Sequence, residues 1–430
     1  MPSMGNDAQT AILDRARFVM PEGHLGNTDA KVIVRNGKGG RIWDVLGNSY
    51  VDFMLGSGPM LIGHAHPAVV EAVAQQVGRG STFFATNEHI VELAEQIVAA
   101  VPCAEKVRFT SSGSEADAYA MRLARAYRGR DKILKFEGGY HGMSDYGLQS
   151  LWPAVAGNSP QSIADSAGIP ASVSGEVVVA RFNDLESASS IVADFRKDLA
   201  GIIVEPMQRL IPPAQGFLQG LRNLATEYDI PLIFDEVVTG FRLHYGGAQA
   251  YYGVTPDICT LGKVLGGGYP LAAVVGRADI MAHFDRDAVP VESFMPMLGT
   301  LSGNPIAAVA GLATLKVLRE PQAYERLHAT GKRLMEGLRA ALSRHGCVAQ
   351  IIGEPPLFDV AFTEHSIRNY RDTMTVDKAR QLRFNQVMLA NGVFKSSGKI
   401  YVSLAHDDFD VDQAFNAFEI AAEACRPGPN

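Results

Sequence analysis

Seven short apolar runs, separated by longer segments, follow one another from residue 106 onward and constrain the fold more than any other feature of the sequence. They lie at 107–109, 133–136, 177–180, 202–204, 231–234, 258–261 and 271–275. Several are separated by connections of helix length, and runs that are apolar at every position are typical of parallel strands buried on both faces. The pattern predicts an α/β layer with a mostly parallel, seven-stranded sheet.

The segments on either side of this region predict a second, smaller α+β domain. Its helices are expected near 11–20, 320–344, 377–391 and 411–425, with strands near 42–45, 50–53, 348–352, 357–362 and 399–404. Two further helices, near 68–78 and 89–101, fall in the larger domain. We therefore predict a large domain over 58–315, with a small domain formed by an N-terminal segment (1–57) and a C-terminal portion (316–430).

Composition excludes several classes of function. A formal net charge of -7 on 430 residues gives no basic face for sequence-independent binding of nucleic acid. The first ten residues lack an apolar core, and no apolar stretch approaches the length of a membrane span, so we expect a cytoplasmic protein. Cys103, Cys259, Cys347 and Cys425 are widely spaced and predict reduced thiols without a metal site.

Two motifs at predicted strand ends are suited to a phosphorylated aromatic ligand. After the first apolar run, Ser112, Gly113 and Ser114 open a helix, and the free N–H groups of a helix start bind phosphate. After the second run, the glycine-rich loop 138–142 leaves the Tyr140 ring able to stack on a flat heterocycle. Taken singly, the first is also consistent with a helix cap that binds no ligand, and the second with a packed tyrosine.

Two further motifs supply an acid and an amine. Asp235 directly follows the run at 231–234, where its carboxylate could pair with a cationic ring nitrogen and keep that nitrogen protonated. Lys263 lies among apolar and glycine residues after another run, and desolvation there favours the neutral amine, which attacks carbonyls. Each alone has an ordinary explanation, a helix cap for the acid and a surface position for the lysine. Together, the four motifs meet the requirements of pyridoxal 5'-phosphate (PLP).

At these residues the sequence resembles the class III aminotransferases, a fold-type-I PLP family, and among them the aminotransferases similar to glutamate-1-semialdehyde 2,1-aminomutase. The likeness extends from about residue 11 to residue 422. The matching stretches are GPM..GHAHP (58–67), SSGSEA (111–116), RLARAYRGRDKILKFEGGYHG (122–142), IIVEPM (202–207), FDEVVTGFR (234–242), YYGVTPDICTLGKVLGGGYP (251–270) and GTLSGNP (299–305).

The resemblance implies a role for each of these residues. Lys263 would form a Schiff base with PLP and move the proton of the substrate carbon, and Asp235 would pair with the pyridine nitrogen. Tyr140 and Val237 would lie on the two faces of the ring. The other implied cofactor residues are Ser112, Gly113 and Ser114 at the phosphate, Glu205 as an acid behind the contacting residues, and Thr300 contributed by the partner subunit of a homodimer; His141 receives no role.

The sequence departs from the aminomutase pattern at four places. The stretch 21–29 has no arginine where the aminomutase carries the one that binds the substrate carboxylate. Ser57, Leu210 and Phe409 stand where the aminomutase has tryptophan, asparagine and glutamate. Loss of a bidentate carboxylate contact costs on the order of a few kcal/mol, so the departures favour a transaminase over an aminomutase.

We therefore expect a transaminase that moves an amino group from an amine or amino acid, including a β- or ω-amine with an apolar part, to a keto acid or aldehyde. Phe83, Phe84, Phe294 and Met295 are candidates for an apolar pocket, although core packing explains them equally well, and Arg209 is a candidate carboxylate partner. An intramolecular aminomutase, a racemase or a decarboxylase stays open because such sites differ by few groups. A catalytically silent binding protein is the alternative from another class.

Overall fold

The computed structural model describes residues 5–28 and 32–427, and the chain divides into two compact units. Unit 1 comprises Met1–Pro67, Glu325–Glu364 and Val376–Asn430, and unit 2 comprises Ala68–Tyr324 and His365–Thr375. Our domain boundaries, after 57 and after 315, remain a prediction.

Fourteen strands and fourteen α-helices span the described residues. The strands are β1 (Val34–Lys38), β2 (Arg41–Asp44), β3 (Ser49–Asp52), β4 (Lys106–Thr110), β5 (Lys132–Phe136), β6 (Val177–Ala180), β7 (Leu199–Val204), β8 (Leu232–Glu236), β9 (Ile258–Leu261), β10 (Ala272–Gly276), β11 (Gln350–Glu354), β12 (Leu357–Ala361), β13 (Val393–Phe394) and β14 (Ile400–Tyr401). The helices are α1 (Gly5–Val19), α2 (Pro67–Val77), α3 (Glu88–Ala100), α4 (Gly113–Arg128), α5 (Ala171–Gly175), α6 (Leu185–Phe195), α7 (Phe217–Glu227), α8 (Gly247–Tyr252), α9 (Ala278–Met281), α10 (Pro305–Leu318), α11 (Ala323–Arg344), α12 (Tyr370–Thr373), α13 (Lys378–Ala390) and α14 (Asp408–Ala424).

Unit 2 is built on one seven-stranded sheet with the order β4-β10-β9-β8-β7-β5-β6. Each of the seven predicted runs falls in one of its strands, so the prediction of a mostly parallel α/β sheet is confirmed. Strand β10 alone is antiparallel to its neighbours β4 and β9. The carboxyl ends of β4, β5, β7, β8 and β9 therefore lie along the same edge of the sheet.

Helix α4 shows how the local sequence positions a helix against this sheet. Ser112 caps its start by accepting a bond from Glu115 N, Glu115 bonds back to the cap, and Gly129 ends the helix at a φ of 60°. Alanine and leucine side chains cover its inner face and are buried against the isoleucines of the sheet. The small alanines let the helix axis come close to the strands, which brings its first turn to the sheet edge.

Unit 1 contains two smaller sheets and combines both ends of the chain. In the first sheet, β13 runs parallel to β3 with Val393 beside Val51, so the N-terminal and C-terminal segments share hydrogen bonds. The second sheet has the order β11-β12-β14. Across both units, the helices predicted outside the large sheet region correspond to α1, α2, α3, α11, α13 and α14. Strands β1 and β13 were absent from the predicted strands.

Every helix in the described ranges is too short or too polar to cross a lipid bilayer. All four cysteines are free thiols, and Cys103, Cys259 and Cys425 are buried.

Lys135, on β5, is a buried amine that donates to backbone carbonyls rather than to a carboxylate. Its Nζ lies 2.9 Å from Gly147 O and also donates to Gln149 O, which holds the loop after β5. Burial lowers the pKa of Lys135 from 10.5 to about 7.

This shift gives a stability prediction with a defined sign. Between pH 7 and 10 the unfolded chain keeps the proton on Lys135 and the native chain does not, so the stability from this residue rises with pH by up to about 1.4 kcal/mol per unit. Lys135→Met should remove that rise. Urea unfolding of both proteins across this range checks it, with Lys132→Met, at the surface of the same strand, as the control. Parallel profiles for wild type and Lys135→Met would contradict the assignment.

Candidate active site

The first turn of α4 follows directly on the end of β4 and contains the predicted phosphate site. Glu115 Oε2 accepts bonds of 2.9 Å from the N–H groups of Ser111 and Ser112, and the Ser112 hydroxyl is engaged in the cap. The N–H groups of Gly113 and Ser114 belong to the first turn and have no intrahelical acceptor. They are therefore the groups at this point of the chain that could receive a phosphate.

The loop after β5 lies directly against that helix start. Gly142 has a φ of 77°, and a side chain there would come within 2.6 Å of Ser114 Cα. Ser114 Oγ accepts a bond of 3.2 Å from Met143 N and also bonds the Tyr140 side chain. Burial raises the pKa of the Tyr140 phenol, while the charge of Arg209 acts in the opposite direction. The structure thus places the predicted stacking ring beside the predicted phosphate site.

Glu205 follows β7 and fixes the backbone of the same loop. Its Oε2 accepts a bond of 3.0 Å from Tyr140 N, and the carboxylate is buried. Glu137, at the start of the loop, accepts bonds of 2.7 and 3.2 Å from the Arg371 guanidinium. The loop that carries Tyr140 is therefore held at two points, by the Glu205 carboxylate and by the Arg371 guanidinium.

Asp235, at the end of β8, is buried among donors from three segments. His141 Nδ1 lies 2.9 Å from Asp235 Oδ2, and Val237 N donates to Asp235 Oδ1 at 3.1 Å. Thr260 Oγ1 donates to Asp117 Oδ1 at 2.6 Å, and the Asp117 side chain bonds Asp235. Burial and the nearby charge of Asp235 raise the pKa of Asp117 well above its usual range, which favours the protonated form of this side chain.

Lys263 lies three residues beyond the partner of Asp235 on the adjacent strand. Asp235 is paired with Thr260 in the β8–β9 ladder, and β9 ends at Leu261. Lys263 then opens a short 3-10 turn with a φ of 47°, half-buried, between Gly262 and the αL residue Gly267. The predicted amine and the predicted acid are therefore brought to neighbouring positions of one sheet edge.

Val237 packs between the start of α4 and the Lys263 turn. A Cβ added to Gly113 would lie 2.7 Å from Val237 Cγ1, and one added to Gly262 would lie 3.2 Å from the same atom. Both glycines are therefore needed for the backbone to approach this side chain closely. Val237 thus contacts the predicted phosphate loop and the predicted lysine turn at the same time.

The remaining sequence candidates lie elsewhere. Thr300 is exposed, and no described contact joins it to the residues above, so its role across a subunit interface stays a prediction. Phe83 and Phe84 are exposed, Phe294 is half-buried, and Met295 belongs to the core under α4. Asp29, which ends the stretch 21–29, lies outside the described residues.

Four residues of the site had no role from the sequence: His141, Asp117, Thr260 and Gln208. The imidazole Nε2 of His141 and the Oε1 of Gln208 are buried and have no hydrogen-bond partner within residues 5–28 and 32–427. Both atoms lie beside Gly139. A Cβ added to that glycine would be 3.0 Å from His141 Nε2 and 3.5 Å from Gln208 Oε1. Asp117 carried one usable signal, because it is an acid on the otherwise apolar inner face of α4.

The residues present fit PLP. A helix start with two free N–H groups suits the phosphate, a half-buried aromatic ring and Val237 suit the two ring faces, and a buried carboxylate suits a cationic nitrogen. The close approach of Gly113 to Val237 leaves a narrow cradle of the kind a flat ring requires. The sheet and this edge define the class of a fold-type-I PLP enzyme.

Comparison with known proteins supplies the family. Residues 24–421 match the family model described as aminotransferase class-III. The chain belongs to the class III aminotransferases, which depend on PLP. It is a PLP-dependent transaminase of that family.

Three similar proteins illustrate the range of this family. A protein of Desulforamulus reducens named glutamate-1-semialdehyde 2,1-aminomutase is 42% identical over 400 residues, covering 91% of each chain. The crystal structure of an omega-transaminase from Sphaerobacter thermophilus has a TM-score of 0.92 at 34% identity and covers 98% of both chains. A beta-phenylalanine aminotransferase from Variovorax paradoxus has a TM-score of 0.86 at 30% identity, covering 96% of this chain and 93% of its own.

The two neighbouring acids give a matched pair of substitutions. Asp117→Asn imitates the neutral acid and keeps a donor toward Asp235, so it should retain bound PLP and change stability by less than about 1 kcal/mol. Asp235→Asn removes the buried carboxylate that His141 contacts, and should weaken PLP binding at least about tenfold. Titration of each apoprotein with PLP, followed by absorbance, and thermal unfolding check both. Equal loss of PLP by the two variants would mean that Asp117 is ionised in the native protein.

Proposed function

We propose that the protein transfers an amino group from an amine or amino acid to a keto acid or aldehyde, with β- or ω-amines that carry an apolar part as donors. The observation that carries the proposal is the placement of Asp235 at the end of β8 and of Lys263 in the turn after the adjacent strand β9, with Asp235 buried and paired to His141. An amine and a carboxylate at these positions are the two groups that PLP chemistry needs from the protein.

Each residue then has a defined task. Lys263 would hold the cofactor through its carbonyl carbon and carry the proton to and from the substrate carbon. Asp235, fixed by His141 and Val237 N, would keep the pyridine nitrogen protonated. Tyr140 and Val237 would orient the ring. When bound, PLP supplies a cationic conjugated ring that accepts the electron pair of the substrate carbon.

The phosphate would be received at the start of α4. Gly113 and Ser114 offer the N–H groups, and the bond of Ser112 to Glu115 N keeps the turn in shape. Glu205 would act indirectly, by holding Tyr140 N at 3.0 Å.

The donor class is supported by the similar transaminases and by one feature of the sequence. The names of two similar structures specify an omega-transaminase and a beta-phenylalanine aminotransferase. The stretch 21–29 has no arginine. By the resemblance, an aminomutase has an arginine there that contacts the substrate carboxylate. A cytoplasmic location is part of the proposal; four free thiols suit a reducing compartment, and cell fractionation would test it.

A second candidate is the intramolecular aminomutase reaction, because a relative with 42% identity carries that name. The two reactions make different demands on an added acceptor. A transaminase needs a keto acid or aldehyde for turnover, whereas an aminomutase forms product from glutamate-1-semialdehyde alone.

The test is a panel of amines, each supplied with and without pyruvate or 2-oxoglutarate. We expect keto product only when an acceptor is present, and no aminolevulinate from glutamate-1-semialdehyde alone. Lys263→Arg keeps a cation but offers no nucleophile, and should lower kcat by about 10³-fold or more; Lys106→Arg, on the edge strand β4, is the control. Failure of every amine in the panel, or turnover by Lys263→Arg near the wild-type rate, would refute the proposal.

We also propose a homodimer in which Thr300 of the partner subunit reaches the phosphate. Thr300 lies between Leu298 and Leu301, which are 78% and 49% exposed, and Phe83 and Phe84 are also exposed. Large exposed apolar side chains are typical of an interface.

Sedimentation measurements test the proposed dimer. Wild type should sediment as a dimer, and Leu298→Glu should shift it toward monomer with weaker PLP retention, because a buried unpaired charge opposes association. The exposed Val155→Glu serves as the matched control. A wild type that is monomeric at micromolar concentration with PLP bound would exclude this arrangement.

A further inference from the structure

Arg209 occupies a backbone position where an arginine is strained. It is the first central residue of a two-residue turn after β7, closed by Gln208 N to Ile211 O at 3.0 Å and Ile211 N to Gln208 O at 2.8 Å. Its φ is 61°. Glycine is the usual occupant of such a position, and strained residues of this kind cluster at functional sites.

The backbone of the turn is anchored on both sides of Arg209. Gln208 is buried, and its Nε2 donates to Glu137 O at 2.8 Å, which ties the turn to the loop that carries Tyr140. Leu210 is also buried. With its two neighbours held in the interior, the half-buried Arg209 is the side chain that the turn presents at the sheet edge.

The guanidinium of Arg209 lies over the proposed cofactor-stacking ring, its central carbon 5.3 Å from the Tyr140 centroid. Within the described ranges, no carboxylate lies within ion-pair distance of it. Two other partly buried arginines of unit 2 do have such partners: Arg371 meets Glu137 at 2.7 Å and Arg222 meets Asp257 at 2.7 Å. Arg209 is thus a cation at the site whose capacity for a bidentate anion is unused.

We propose that Arg209 binds the carboxylate of the substrate, so that the preferred donors are β-amino acids and the acceptors keto acids. The inference rests on the proposed function and names the substrate class of that site. A carboxylate leaving water needs a positive partner with matching geometry, and the planar guanidinium supplies two parallel donors. The cofactor phosphate has a separate place at Gly113 and Ser114, which leaves Arg209 for the substrate.

The test uses two donors that differ only in the carboxylate: 3-amino-3-phenylpropanoate, and 1-phenylethylamine, in which a hydrogen replaces the carboxylate. Arg209→Gly suits a φ of 61° and removes the guanidinium, so it should fold at least as well as wild type. We expect kcat/KM for the amino acid to fall on the order of 10–100-fold and that for the amine to change less than about threefold. Arg209→Lys should give an intermediate loss for the amino acid alone.

A binding measurement separates this inference from the proposed function. The unreactive acid 3-phenylpropanoate, measured by calorimetry, should bind wild type on the order of tenfold more tightly than Arg209→Gly, whether or not amino transfer occurs. If neither donor reacts but the acid still discriminates between the proteins, the proposed function fails and the carboxylate site stands. Equal losses for both donors, or equal binding of the acid to both proteins, would overturn the role of Arg209. Loss of PLP retention by Arg209→Gly without substrate discrimination would assign the residue to the cofactor instead and would also overturn it.

Discussion

The buried carboxylate of Asp235 is the charge around which the site is arranged. An ionised carboxylate withdrawn from water is costly unless donors surround it. Here its hydrogen-bond partners come from three separate segments: His141 from the loop after β5, Val237 N from its own loop, and Asp117 from α4. Burying one negative charge therefore fixes the positions of a loop, a helix and a strand end relative to each other.

A steric constraint acts on the same groups. Val237 follows Asp235 by two residues and touches the backbone at Gly113 and at Gly262. The carboxylate and the valine therefore position the helix start and the Lys263 turn from a single loop. Because the backbone approaches Val237 closely at both glycines, these contacts leave less room for adjustment than contacts between flexible side chains would.

The large sheet could be predicted from sequence because each of its strands contains a short apolar run, a local signal. Strands β1 and β13 could not: β1 is mostly exposed, and β13 has two residues whose pairing with β3 depends on chain more than 340 positions away. The residues of the site also fall into those with a local sequence signal and those without one. Lys263 and Asp235 stand directly after apolar runs, whereas the bond of Thr260 to Asp117 joins residues 143 positions apart and has no local signature. The φ of Arg209 likewise follows from the closure of its turn rather than from its neighbours in sequence.

The residues that hold PLP do not by themselves select a reaction, because the same cofactor contacts serve many chemistries. Selection must come from groups beside the cofactor, and the turn after β7 is one of the four places where the sequence departs from the aminomutase pattern. At the position that the resemblance assigns to an aminomutase asparagine, Leu210 is 4% exposed and has no polar atom to offer a ligand. One residue earlier the turn carries a guanidinium, beside Tyr140. Replacing a neutral amide by an adjacent cation favours an anionic substrate, and an anionic group on the substrate can be held while the amine and keto forms exchange. Under this proposal the Arg209 guanidinium would hold the carboxylate of the donor and then that of the keto acid acceptor, which a transaminase binds in the place of the first substrate.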